Sequence, residues 1–223
     1  LHIEQGPLLE DEGCAVGVVE GIVGISWSRL TFSGIQDHAG PTPMRGRHDA
    51  LVAAADVVRA VRAIPGQVSP AMVATVGRLE VSPNIPNAIP GSVAMSVDMR
   101  DPTDEQLTRA LALLDRAVRD AAASEGVSYE LTHYWRVPPT PFHPEVVGAV
   151  ERAAKALGSR HRRILSGAGH DAQYMATICP TGMIFVPSRN GRSHCEAEFT
   201  AWDEIEPGAN TLLLATLELA QLV

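Results

Sequence analysis

Val93-Ala94-Met95-Ser96-Val97-Asp98-Met99-Arg100 alternates apolar residues with small or polar ones at every step, the period of a strand buried on one face only. Val93, Met95, Val97 and Met99 share the apolar face, and Asp98 and Arg100 point the other way. Downstream, Thr103 with Gln106 reads as a capping box. Leu107, Ala110, Leu111, Leu114, Ala117, Val118 and Ala121 then recur at helical spacing until Gly126. Residues 127–135 read as a strand. Upstream lies a Pro/Asn-rich turn over Pro83–Pro90, preceded by a strand over Met72–Val81. Before that, Leu51, Ala54, Ala55, Val58 and Val61 form one stripe of a helix over 48–63, and Ile22–Gly34 is a β-branched strand. The order is βαββαβ, the pattern of an α+β ferredoxin-like sandwich with both helices on one sheet face. Its other face, which carries Arg100, is left to cover something.

The flanks read as a different body. Residues 1–20 hold a short strand and the run Val16–Val19. From 143 onward helices and short strands alternate, with a strand at Thr181–Val186 and a long C-terminal helix starting near Pro207. The expected organisation is an α/β layer (1–21 and 138–223) interrupted by the sandwich (22–137), an insertion tolerated when its termini lie close together. The chain opens Leu1-His2-Ile3-Glu4 without an initiator Met, as though inside a strand, and is expected to be part of a longer one.

Composition narrows the function classes. Asp and Glu number 26 against 18 Lys and Arg, a formal charge of −8, which argues against a nucleic-acid partner. Hydrophobic residues make up 45%, but no run reaches the roughly 18 apolar residues of a membrane span, so no membrane partner is expected. Three cysteines without a CxxC fit a reducing compartment, with the cytoplasm as the expectation.

Several residues have side chains suited to chemistry. His2 and Glu4 share a strand face, and an imidazole beside a carboxylate suits Zn²⁺ or Mn²⁺; a strand-end His can equally be structural. His194, in Ser193-His194-Cys195-Glu196-Ala197-Glu198, is either a ligand or a loop His satisfied by backbone, and Cys195 is a ligand or nucleophile by type only. His38, in Asp37-His38-Ala39-Gly40-Pro41-Thr42-Pro43-Met44, sits on a loop stiffened by prolines, where a donor is presented to developing charge or merely caps the next helix. Asn84 and Asn87 are turn formers. Arg100 is either solvated or a bidentate clamp for a carboxylate. Gly167-Ala168-Gly169-His170-Asp171 offers backbone N–H groups before a short helix. Neither GxGxxG nor GxSxG occurs, so no dinucleotide fingerprint and no serine elbow is read.

Taken in order, His-Ile-Glu-Gln-Gly-Pro, Asp-His-Ala-Gly-Pro-Thr-Pro-Met, Pro-Asn-Ala-Ile-Pro-Gly, Val-Asp-Met-Arg, Ser-Gly-Ala-Gly-His-Asp-Ala and Phe-Val-Pro-Ser-Arg-Asn-Gly-Arg-Ser-His resemble the amidase/hydantoinase-carbamoylase family. Its members are binuclear metal hydrolases: N-carbamoyl-L-amino acid hydrolases, allantoate amidohydrolases and β-ureidopropionases. The resemblance runs along the whole chain. It implies an α/β catalytic domain of the zinc-exopeptidase (phosphorylase/hydrolase-like) type interrupted by a ferredoxin-like lid and dimerisation domain, and a homodimer through that lid. It implies a ureido substrate bearing a carboxylate, and two divalent ions drawn from Zn²⁺, Mn²⁺, Co²⁺ or Ni²⁺. By motif, His2 and His194 are metal ligands and His38 stabilises the oxyanion. Gln5, Asn87, Arg100 and Gly167 hold the substrate, Arg100 and Asn87 on its carboxylate.

The family's remaining ligands, an H-x-D pair, a bridging Asp and a Glu-Glu pair, precede the HIEQG motif. No His here has Asp two places on, and no Glu-Glu dipeptide occurs. Two histidines for two ions fall short of the three protein ligands per ion that a catalytic site uses. The expectation is a C-terminal portion that binds metal poorly and has no turnover by itself. Three readings stay open: an N-carbamoyl-L-amino acid hydrolase, an allantoate amidohydrolase, or a non-catalytic dimerisation module.

Overall fold

The computed structural model describes residues 1–220. The chain divides into two compact units, Leu1–Val23 with the chain from Thr140 onward, and Gly24–Pro139 between them.

In chain order the first unit opens with β1 (His2–Ile3), α1 (Leu8–Asp11) and β2 (Val16–Ile22). The middle unit holds β3 (Gly24–Ser33), β4 (Asp37–His38), α2 (Ala50–Val68), β5 (Val73–Ser82), β6 (Ala88–Ile89), β7 (Ser92–Asp101), α3 (Asp104–Glu125) and β8 (Ser128–Val137). The first unit resumes with β9 (Thr140–Pro141), α4 (Pro144–Ala156), β10 (His161–Ser166), α5 (Asp171–Met175), β11 (Met183–Val186) and α6 (Trp202–Ala220).

In the middle unit, β5, β7, β3 and β8 form an antiparallel sheet in that order. The alternation of β7 is realised: Val93, Met95, Val97 and Met99 are buried with Leu30 and Phe32 of β3 against Ala53, Val57, Val61, Leu107, Leu114 and Val118 of the two helices. Each large apolar side chain removed from water here contributes about 1.5–3 kcal/mol, which is why the sheet holds one register. Asp49 caps α2, its carboxylate accepting from Leu51 and Val52 N–H. Gly126 ends α3 in the left-handed region at φ 64°, where a side chain is disfavoured. The capping box is only half formed. Thr103 Oγ1 accepts from Gln106 N–H, but Thr103 N–H goes to Asp101 Oδ1 instead of Gln106, whose buried Oε1 has no partner. The helix read over 48–63 continues to Val68, through Pro65. The turn at Pro83–Pro90 contains β6, which pairs with β4 so that His38 faces Ala88.

In the first unit the sheet runs β1, β11, β2, β10, with β9 beside β2. β1 is parallel to β11 and β2 parallel to β10. Val16, Val18, Val19 and Ile22 are buried with Phe185, Ile184, Val150 and Ala153. The strand read over Ile22–Gly34 is β3, Gly24–Ser33, in the other unit; Ile22 itself ends β2 in this one. Helix α6 begins at Trp202 and not at Pro207, because Glu204 reaches back to accept from Ala201 N–H at 2.8 Å and nucleates the first turn earlier. Gly208 lets α6 approach β11: a Cβ there would lie 2.7 Å from Leu1 Cδ1 and against Val186. Among the described residues no helix is long and apolar enough to cross a membrane.

Candidate functional site

The first unit draws the two ends of the chain together. His2 of β1 lies in register with Phe185 of β11, and the loop after β11 leads to His194. Gln5 is the joint. Its backbone N–H donates to the buried Ser188 Oγ at 2.9 Å, and its Nε2 donates to Ser193 Oγ at 2.9 Å. Asn190 N–H donates to Glu10 Oε2 at 2.6 Å, and Gly191 packs so closely on Pro7 that a Cβ would sit 2.7 Å from its nitrogen. Both Gln5 (φ 62°) and His194 (φ 56°) occupy the left-handed region, which costs a non-glycine residue about 1–2 kcal/mol and persists only where surrounding contacts over-determine it.

His194 is exposed on a loop pinned by Glu198. Ser193 Oγ donates to Glu198 Oε2 at 2.6 Å and His194 N–H donates to the same oxygen at 3.2 Å. These two bonds, in that order, hold the Glu198 carboxyl below the usual range, with smaller contributions from the charges of His194 and His2. Both imidazoles therefore stand within electrostatic reach of one carboxylate.

His2 Nδ1 lies 2.9 Å from the Ile3 carbonyl oxygen. A carbonyl only accepts, so this bond places the proton on Nδ1 and leaves the Nε2 lone pair outward, the tautomer a metal-binding imidazole uses. The His170 ring meets His2 edge-on, with centroids 4.6 Å apart. Ser166 Oγ donates its one proton to Ala168 O, so His170 Nε2, at 3.1 Å from that Oγ, is the donor. Burial, reinforced by His2, pushes His170 down to about 4, so it is neutral near pH 7.

Glu4 departs from the sequence reading. It does not share the His2 face: its buried carboxylate turns back to accept from Leu8 N–H (2.9 Å) and Leu9 N–H (2.8 Å), capping α1. Gly167 follows β10 in the same unit, exposed, with open space where a Cβ would stand. Cys195 is exposed and joined in no disulfide.

In the middle unit His38 and Asn87 are neighbours, since Ala39 N–H donates to Asn87 O at 2.9 Å beside the β4–β6 pair. Gly40 N–H donates to His38 Nδ1 at 3.0 Å. An amide N–H only donates, so Nδ1 is the acceptor and the proton of neutral His38 is on Nε2, an exposed donor. Arg47, which the motif reading did not single out, stiffens this loop by donating to Ala39 O at 2.7 Å and Thr42 O at 3.1 Å. Arg100 is apart from this pair, on the open sheet face, with its guanidinium on Asp98.

Residues that would meet a divalent ion supply part of a donor set. His2 presents a lone pair and His194 an exposed ring, but Glu4 and Glu198 are committed to N–H and O–H donors. Among the described residues no group of three or more His, Cys, Asp or Glu is placed to hold an ion. A complete site, with about three protein ligands per ion, is not formed by these residues alone.

Comparison with known proteins places these features. The chain is 43% identical over 213 residues to an N-carbamoyl-L-amino-acid amidohydrolase of Paenarthrobacter aurescens, covering 96% of this chain and 52% of that protein. It is 34% identical over 220 residues to the allantoate amidohydrolase of Escherichia coli K12, covering 99% and 54% respectively. The crystal structure of an amidase of the hydantoinase/carbamoylase family from Burkholderia vietnamiensis superposes with a TM-score of 0.94 at 45% identity, over 97% of this chain and 52% of that one. The chain thus spans about half the length of the curated relatives it matches. With residues 1–218 matching as a unit, the chain belongs to Peptidase family M20/M25/M40.

Proposed function

We propose that the intact protein is a divalent-metal-dependent amidohydrolase that cleaves the ureido C–N bond of N-carbamoyl-L-amino acids, releasing the amino acid, CO₂ and ammonia. The observation that carries this reading is the similarity to the Paenarthrobacter N-carbamoyl-L-amino-acid amidohydrolase along 96% of the chain. The site geometry is compatible with it: an outward His2 Nε2, a His194 loop joined to His2 through Gln5, and a His38 whose Nε2–H is a donor.

In this reading His2 and His194 each donate an imidazole nitrogen to one of two divalent ions, with the other ligands coming from residues outside these 223. The chemistry such ions supply is a water acidified enough to act as nucleophile near pH 7. His38 donates through Nε2–H to the oxygen of the ureido carbonyl as it becomes tetrahedral, and Asn87 and Arg100 hold the carboxylate. Gln5 and Gly167 line the ureido end; the Gln5 amide, bonded to Ser193, orients through that bond. The middle unit, with the element order of a ferredoxin-like sandwich, serves as lid and as the surface of a homodimer. Three free thiols fit a reducing compartment such as the cytoplasm.

Allantoate is the second reading, favoured by the 34% identity to the Escherichia coli enzyme over 99% of this chain; it too joins a ureido group to a carboxylate. Side-by-side turnover of N-carbamoyl-L-amino acids and allantoate by the full-length protein tests both. Faster turnover of the carbamoyl amino acids is the expected result, faster turnover of allantoate supports the second reading, and turnover of neither supports a non-catalytic module. The oxyanion role is tested by His38→Ala. Removing one such donor lowers kcat on the order of 100-fold to 1,000-fold, and an unchanged kcat refutes the assignment.

A further inference from the structure

The loop after β11 is closed at its base and carries a directed chain of hydrogen bonds to Gln5. Arg189 N–H donates to Phe199 O at 3.0 Å, and the Arg189 guanidinium lies over the Phe199 ring, 4.1 Å from its centroid. Between these two residues stand Ser193, His194 and Glu198. Glu198 Oε2 accepts from Ser193 Oγ at 2.6 Å and from His194 N–H at 3.2 Å. Ser193 Oγ in turn lies 2.9 Å from the Gln5 side-chain amide.

The protons of this chain stand in one order only. A carboxylate has no proton to give, so the Ser193 hydroxyl donates its single proton to Glu198. Only lone pairs remain on Ser193 Oγ, so the Gln5 amide presents Nε2 to it and turns Oε1 the other way. Half a turn of the amide would set Oε1 against a hydroxyl oxygen whose proton is already committed. The Gln5 backbone is fixed as well, by its N–H bond to the buried Ser188 Oγ at a left-handed φ of 62°. Gln5 Oε1 is therefore an oriented acceptor, and among the described residues none donates to it.

An acceptor held in this way selects for a donor. The terminal NH₂ of a ureido group carries N–H. An N-acetyl group has nearly the same shape, with a methyl in that place, and leaves such an acceptor unpaired.

We infer that Glu198, acting through Ser193, is a positioning residue that sets the polarity of the Gln5 amide, so that Gln5 Oε1 accepts from the terminal NH₂ of the ureido group and discriminates against N-acyl analogues. This rests on the reading of the substrate as a ureido compound with Gln5 at its ureido end. It goes further in assigning Ser193 and Glu198, in fixing the direction of the hydrogen bond, and in naming the class of compound that is refused.

The experiment uses the full-length protein and two probes, N-carbamoyl-L-alanine and N-acetyl-L-alanine. KM and kcat are measured for the first and the competitive inhibition constant for the second. The proteins are the wild type, Ser193→Ala, Glu198→Ala, Glu198→Gln, Gln5→Met and the Ser193→Ala/Gln5→Met double variant. Gln5 and Ser193 are half-buried, so the expected effect is that of one neutral hydrogen bond. Ser193→Ala should raise KM for the carbamoyl compound about three- to tenfold, with kcat changed less than about twofold, the pattern of lost ground-state binding. The inhibition constant of the acetyl compound should move less than about twofold. Glu198→Ala frees the Ser193 proton to turn the amide over and should raise KM at least as far. Glu198→Gln keeps a carbonyl oxygen for the same two donors and should recover most of that loss. In the Gln5→Met background Ser193→Ala should add almost nothing, since residues acting through one another are non-additive.

Equal weakening of the two probes, a fall in kcat with KM unmoved, a full additional effect in the double variant, or a wild type that binds the acetyl compound as tightly as the carbamoyl one would each overturn the inference. Wild-type turnover of N-carbamoyl-L-alanine reports separately on the ureido reading. If it is absent, the ratio of the two dissociation constants by calorimetry, in the wild type and in Ser193→Ala, still decides the role of the relay.

Discussion

Ser188→Ala removes a single hydroxyl from the joint between the two ends of the chain. Ser188 is fully buried, and its Oγ accepts the backbone N–H of Gln5 at 2.9 Å. Without it that N–H has no acceptor in a part-buried setting, which costs about 1–3 kcal/mol. Gln5 also sits at φ 62°, a conformation that intrinsically costs about 1–2 kcal/mol and is maintained by this bond together with the Nε2 bond to Ser193. Releasing the bond lets Gln5 relax toward negative φ and recover part of that strain, so the net loss should fall near 1–2 kcal/mol, the lower part of the range. Relaxation also rotates the peptide that follows β1, so the damage should reach metal binding, because His2 lies three residues back and His194 follows Ser193. The assay is urea unfolding of the full-length protein with and without Zn²⁺, together with zinc affinity by competition. The expected outcome is a lower unfolding midpoint at unchanged slope, and a zinc affinity reduced more than stability alone explains. A midpoint within experimental error of wild type, with unchanged zinc affinity, would refute the view that Ser188 holds the two ligand-bearing segments in place.

Further outcomes follow from individual contacts. Gly34→Ala would drive a Cβ into the carbonyl oxygen of His48, which is backbone and cannot swing aside; a loss of about 1–3 kcal/mol is expected, read as a lower Tm, and a neutral result would show that the β3–α2 junction shifts freely. Glu151 has its pKa lowered first by the hydrogen bond from Arg163 and further by Lys155. Its contribution to stability is therefore fully present above the unfolded glutamate pKa, about 4.3, and is lost as pH falls through the lower folded value. Glu151→Gln should flatten the acid side of a Tm-against-pH curve below about pH 4.5, and a parallel curve would contradict this. The 223-residue chain by itself should hold clearly less than stoichiometric Zn²⁺ after dialysis, measured by atomic absorption, whereas the full-length protein should retain it.

The legible parts of the fold were those in which neighbours in sequence share one physical environment. Val93–Arg100 announced its strand because every second side chain meets the same core. Thr103 and Gly126 marked the ends of α3 because capping is settled within three or four residues. Pro207 misled, because a proline tolerated inside the first turns of a helix resembles one that starts it, and the capping glutamate that sets the true start lies outside that pattern. The β4–β6 pair was hidden in a stretch that reads as a turn, since two-residue strands have no period to detect. Among the site residues, His2, His38 and His194 stood out as motifs, but their proton positions did not. Those depend on the Ile3 carbonyl and the Gly40 N–H, single bonds that spacing does not encode.

Composition, alternation and motif order determined the class of structure, the family resemblance and the short set of imidazole, amide and guanidinium groups worth examining, because each is a local property or a sum over the chain. Which of those groups are committed elsewhere was decided only in three dimensions. Glu4 is spent on a helix N-terminus and Glu198 on a loop. Arg100 is engaged by Asp98, and Gln5 is bent into the left-handed region by Ser188 and Ser193. The physical reason is that a hydrogen bond needs its partner within about 3 Å. For Gln5 that partner lies at the far end of the chain, at a distance only the folded backbone can set.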